Sequence, residues 1–349
     1  MATEAGVLDF LLRVKPSNDV AVGFLQLCEI SYLPQPEIKP TIENPELLPP
    51  ITPGGQWQCV WGPAQDDDTA NLAFVALYRA EAAAAPLFGA VTIRGTDVHI
   101  DDAWGVVQEF WEDLDVIDRQ TLPWAPDDPA RIAGGTWDAL NAFRALTSDG
   151  RTLLDCVSSL VCAPATRGIP LALVGHSLGG CMATVVASWL HHELRATAVP
   201  ITPVTFAAPT AGNPAFVTAY EQNFPNAPRY WGSLDIVPRG WDDIASVKAI
   251  YASCGLACPD LVRFGIDGYE LAMRAADVAY VQPDRGAIAL AAGCAQPAAD
   301  WSWYDEAGFH HHTTTYMRLL GGADVVGTPM WKPAALRGLG PSRIGRPCG

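Results

Sequence analysis

The stretch Leu171-Ala-Leu-Val-Gly-His-Ser-Leu-Gly-Gly180 decides the reading of this chain. Leu171–Gly175 is a short, continuously apolar run, the pattern of a strand buried on both faces. Ser177–Leu194 carries the spacing of a helix. Between them Gly175-His-Ser-Leu-Gly179 fits G-x-S-x-G. A serine hydroxyl is a poor nucleophile unless it is exposed, aimed and served by a base. A sharp strand-to-helix turn meets the first two needs, and glycines on either side let neighbouring backbones pass. The helix start then points N–H groups at developing negative charge, with the N–H of Leu178 as the first oxyanion donor.

Working outward, Leu72–Arg79, Phe88–Arg94, Pro203–Ala207 and Arg229–Leu234 also read as strands, separated by helical patterning. Short apolar strands between helices predict an α/β fold, with a mainly parallel sheet covered by helices on both faces. Residues 18–32 open on Asn18 and Asp19 and carry helical spacing. Seven prolines lie between Pro34 and Pro53, and residues 34–68 are expected to form an extended surface loop. Residues 244–300, rich in Ala with scattered Gly and Cys, are a candidate insertion. No repeat is visible, and one domain over 1–349 is expected.

In sheets of this type the elbow serine is followed by an acid and then a histidine. His191 and His192 lie at the far end of the elbow helix, roughly 20 Å from Ser177 at 1.5 Å per residue. The base therefore comes from His310, His311 or His312. Asp235, at the carboxyl end of a predicted strand, is the preferred acid, because strand ends face the site in doubly wound sheets. Asp242 and Asp243 read as solvated loop charges.

Several separated segments resemble the class 3 (fungal-type) lipases. Gly175–Gly180 resembles their elbow, Thr205–Asn213 the strand and turn after it, and Leu234-Asp-Ile-Val-Pro238 their triad-acid motif. Ile93-Arg-Gly-Thr96 resembles their oxyanion segment, and residues 21–32 their N-terminal helix. The resemblance spans about residues 20–320 in the right order. It implies an α/β-hydrolase fold and an acyl-enzyme mechanism on carboxylic esters, most simply those of triacylglycerol. A phospholipase A1 or an acyltransferase would use the same triad; a silent binding module is the rival of another class. It implies Asp235 as the orienting acid and His311 as the base, five residues before Tyr316. It implies Thr96 as the second oxyanion donor and a lid near 97–118. There Trp104, Val107, Trp111 and Leu114 share one helical face opposite Asp101, Asp102, Glu109, Glu112 and Asp115.

Composition bounds the partners. The formal charge is −16, which disfavours nucleic acid and anionic membranes but not a neutral ester or a transient contact with a neutral lipid interface. No apolar stretch reaches the roughly 20 residues of a membrane span, so an integral membrane protein is not expected. The first residues, MATEAGVLDFLLRV, are acidic and unlike a secretory signal, and location stays open. Among the nine cysteines the close pairs, Cys156 with Cys162 and Cys254 with Cys258, lack partners at zinc-finger spacing, so no structural metal is expected; no cofactor is expected because the triad supplies both base and nucleophile. Plain buried thiols are expected for most of the cysteines, with disulfides within 156–162 or 254–258 the alternative under oxidising conditions.

Overall fold

A computed structural model describes residues 3–11, 18–66, 71–95, 115–295 and 301–325. Its centre is a seven-stranded sheet of β1 (Gln56–Gln65), β2 (Leu72–Arg79), β3 (Pro86–Ile93), β4 (Leu171–His176), β5 (Ile201–Phe206), β6 (Arg229–Gly232) and β7 (Ala287–Leu290). The strands lie side by side in chain order. β1, β2 and β3 pair antiparallel, and every pairing from β3 to β7 is parallel. The α/β-hydrolase fold expected from the sequence is thus present.

Period-two alternation explains why the central strands are apolar throughout. Val91, Ile93, Leu171 and Leu173 face one core, shared with helices α4 (Gly134–Ala145), α5 (Leu153–Cys162) and α6 (Leu178–Glu193). Phe88, Ala90, Ala172 and Val174 face the opposite core, against α2 (Asn18–Ser31) and α10 (Thr313–Leu320). Both faces are covered, so neither set of alternate residues is polar. Helix α2 buries eleven of its fourteen residues between the sheet and α10. Each large apolar side chain buried in this way contributes roughly 1.5–3 kcal/mol.

The expectation of a loop over 34–68 is corrected. Residues Gln35–Ile42 form helix α3, and Gln56–Gln65 form β1. Pro36 occupies the first turn of α3, where its missing N–H has no helical acceptor to lose. Pro40 does lie inside the helix, which ends two residues later. Pro63 is tolerated because β1 is an edge strand whose register shifts between Trp61 and Ala64.

Residues 244–300 are not simply an insertion. Ala287–Leu290 completes the sheet as β7, while Ile244, Val247, Tyr251, Val262 and Ile266 build a third core. That core, which includes helix α8 (Asp260–Ala275), packs against Ile236, Val237, Trp303 and Ala307. Neither close-spaced disulfide forms: Cys254 bonds to Cys294, 40 residues away. Cys156, Cys162 and Cys258 are free. The candidate lid over 97–118 lies almost wholly outside the described residues.

Candidate active site

The elbow forms where β4 ends and α6 begins, with Ser177 between them at φ 59° and ψ −134°. A non-glycine residue there is strained by about 1–3 kcal/mol and persists only when its surroundings hold it. Here Ser177 N–H donates to the carbonyl of Phe206, at the end of β5. The glycines are steric requirements. A Cβ on Gly175 would stand 2.0 Å from the carbonyl oxygen of Gly179, and one on Gly179 would stand 2.3 Å from that of Ile93.

His311 ends helix α9 (Trp303–His311), whose start is fixed by a capping box between Ser302 and Asp305. Its Nε2 lies 2.8 Å from Ser177 Oγ. On the other side, Nδ1 lies 3.2 and 3.1 Å from the two carboxylate oxygens of Asp235. Asp235 sits just beyond β6 and is wholly buried. Its Oδ1 accepts a 3.0 Å bond from Val237 N–H, and its Oδ2 a 2.7 Å bond from Tyr316 Oη. Tyr316 Oη in turn accepts from Gly232 N–H at 2.8 Å. Burial, reinforced by the Asp235 charge, pushes the Tyr316 phenol well above its ordinary range, so it stays a neutral donor.

The neighbouring histidines are engaged elsewhere. His310 Nε2 meets Glu306 Oε1 at 3.0 Å, and its ring stacks on Tyr251. Burial pushes the Glu306 carboxyl up, but bonds from His310, Ala295 N–H and Trp301 Nε1 outweigh it and leave the group below its ordinary range. His312 Nδ1 accepts from Thr314 N–H and so caps α10. Burial, together with the nearby His311, pulls the His312 imidazole down to about 4.

Of the residues singled out from the sequence, Ser177, Asp235 and His311 come together in one hydrogen-bonded line. Leu178 is the first residue of α6, where N–H groups have no intrahelical acceptor. Thr96 lies outside the described residues. His191 packs on Phe224 and His192 leans on Trp124, at the far end of α6. The sequence reading missed the bond from Tyr316 to Asp235; its one signal was the fixed spacing from His311. Among the described residues, Cys254, Cys294 and Glu306 hold candidate metal donors within 4.8 Å, but both sulfurs belong to the disulfide.

A seven-stranded, mainly parallel sheet with a strained serine at its elbow and a Ser-His-Asp line defines a serine hydrolase of the α/β-hydrolase fold. The sequence model of the family Lipase (class 3) matches residues 90–241, the region that carries the elbow and the acid. Over those residues the chain is similar to the class 3 lipases, a likeness that supports a carboxylic ester hydrolase. It resembles the crystal structure of M37 lipase with a TM-score of 0.74 and 21% identity, over 88% of this chain and 94% of that one. The lipase of Rhizopus microsporus var. chinensis is more distant, with a TM-score of 0.46 and 18% identity over 68% of this chain and 70% of that one. The native propeptide complex of Rhizomucor miehei lipase has a TM-score of 0.44 and 16% identity, over 63% of this chain and 61% of that one. No curated protein matches the chain. No helix among the described residues is long and apolar enough to cross a membrane.

Proposed function

We propose that the chain hydrolyses acyl esters of glycerol, with Ser177 as nucleophile, His311 as general base and Asp235 as the group that orients His311. The observation that carries this reading is the continuous line from Ser177 Oγ through the His311 ring to the buried Asp235 carboxylate. His311 Nε2 takes the Ser177 proton as Oγ attacks the ester carbonyl carbon. The tetrahedral oxyanion is stabilised by the N–H of Leu178 together with the start of α6. Collapse of the intermediate expels the alcohol, which takes the proton from His311, and leaves an acyl-Ser177 ester. Water, deprotonated by His311, then attacks that ester, and the second intermediate collapses to the acid as Ser177 Oγ recovers the proton from His311. Asp235 fixes the Nδ1–H tautomer of His311, so that Nε2 faces Ser177.

The whole chain works as one domain in this reading. The match to the class 3 lipase family supports a lipid ester as substrate, met at a neutral lipid surface by transient contact. Hydrolysis of emulsified triacylglycerols and of p-nitrophenyl esters from C2 to C16 tests the assignment. Triacylglycerol turnover with a preference for longer acyl chains is expected. Activity confined to the shortest soluble esters would exclude triacylglycerol as the substrate class.

A further inference from the structure

The residue before the nucleophile has no part in the chemistry above, yet both its ring nitrogens are engaged inside the site. His176 is 4% exposed and its ring centroid lies 4.9 Å from that of His311. His176 Nε2 stands 2.8 Å from the backbone carbonyl oxygen of His311, and Nδ1 stands 3.2 Å from Tyr32 Oη. A carbonyl oxygen can only accept, so Nε2 carries a proton. Burial, with the nearby His311 and His312, holds the imidazole well below its ordinary range and therefore neutral. A neutral ring has one N–H, which leaves Nδ1 bare and makes Tyr32 Oη its donor.

Tyr32 itself stands just past the end of α2, with its hydroxyl against the oxyanion segment. A Cβ built on Gly95 would lie 2.4 Å from Tyr32 Oη and 2.7 Å from the His176 carbonyl oxygen. One phenol thus joins the N-terminal helix, the residue preceding Thr96 and the elbow histidine. Without its O–H, His176 gains nothing from keeping Nδ1 bare, and the tautomer that donates to His311 loses its preference.

We propose that Tyr32 is a positioning residue: through His176 it fixes the backbone of His311 and so sets the distance from His311 Nε2 to Ser177 Oγ. The inference rests on reading Ser177 and His311 as nucleophile and base. It extends that reading to a side chain about 145 residues from the elbow in sequence, reached through a 3.2 Å contact.

The test is Tyr32→Phe, alone and on a His176→Gln background, with steady-state kinetics, fluorophosphonate labelling rates and histidine ring-nitrogen NMR. Tyr32→Phe is expected to lower kcat about five- to tenfold with KM held within about twofold, and to slow labelling in proportion. The NMR spectrum should show the His176 Nε2–H tautomer fixed in the wild type and mixed in Tyr32→Phe. On the His176→Gln background the same substitution should cost nothing further. Three results would each overturn the proposal: an unchanged kcat, a raised KM at constant kcat, or a full further loss on the His176→Gln background. Should His176→Gln fail to fold, the tautomer spectrum of Tyr32→Phe decides alone. A Ser177→Ala protein that still turns over ester would instead defeat the underlying triad, while the tautomer measurement would continue to report on the Tyr32 contact.

Discussion

Tyr316 Oη donates a 2.7 Å hydrogen bond to Asp235 Oδ2, with both residues fully buried and 81 positions apart in the chain. Asp235 therefore presents His311 with a carboxylate whose direction is held from two other sides, by Tyr316 and by Val237 N–H. Tyr316→Phe removes one of these donors and leaves the ring in place. A bond to a charged group contributes about 1.5–3 kcal/mol. We expect kcat to fall about tenfold and the melting temperature to drop by several degrees, measured by ester hydrolysis and thermal unfolding. Unchanged kcat would mean that Val237 N–H alone suffices to hold Asp235.

Glu29 lies on α2, 2% exposed, and accepts Val325 N–H through Oε2. Burial raises its carboxyl from 4.5 to about 8; the nearby Asp324 adds to this, and the bond from Val325 opposes it. The unfolded chain releases this proton above pH 4.5, whereas the folded chain keeps it until about pH 8. Glu29 therefore makes stability fall as pH rises through that window, by roughly 3–5 kcal/mol. Glu29→Gln should flatten the decline and melt higher than the wild type at pH 8.5. Parallel melting curves across pH 5–8.5 would contradict the assignment.

The Cys254–Cys294 bond closes a 40-residue loop between the third core and the end of β7. Loop-closure entropy for that length is worth about 4 kcal/mol in the chain-entropy view. Reduction, or Cys254→Ser, should lower the melting temperature, and alkylation should reach Cys254 and Cys294 only after reduction. Alkylation of both without reductant would show that the bond does not form.

Gly175→Ala places a methyl carbon 2.0 Å from the Gly179 carbonyl oxygen, a contact that only movement of the elbow backbone can relieve. The variant should lose nearly all activity, more than about 10²-fold, because displacement of Ser177 by even 1 Å is that costly. Near-wild-type activity would show that the elbow is more adaptable than this packing implies.

The parts of this molecule that were legible in its sequence are those set by local rules. Leu171–Gly175 reads as a strand because it is apolar throughout, as in the observed Leu171–His176 strand buried on both faces, and Ser177 stands out because a strand, two glycines and a helix surround it. Asp235 follows from its place at a strand end. Local pattern does not separate His310, His311 and His312, since three adjacent histidines differ only in what the fold sets opposite them. Glu306 engages the first and Thr314 the third. Helix α3 was hidden because Pro36 and Pro40 suggest a loop unless one knows that the helix is one short element beginning at Gln35. The Cys294 partner and the Tyr32–His176 contact arise from tertiary closure over 40 and 144 residues, for which spacing carries no signal.

The mechanism stands on Ser177 as the nucleophile. Its most direct test is the rate of p-nitrophenyl butyrate hydrolysis by purified wild type and Ser177→Ala, with both shown to be folded. The substitution is expected to lower turnover by about 10⁴-fold or more, leaving at most weak catalysis from binding and the oxyanion donors. Turnover within about tenfold of the wild type would contradict it and move the chemistry away from the elbow.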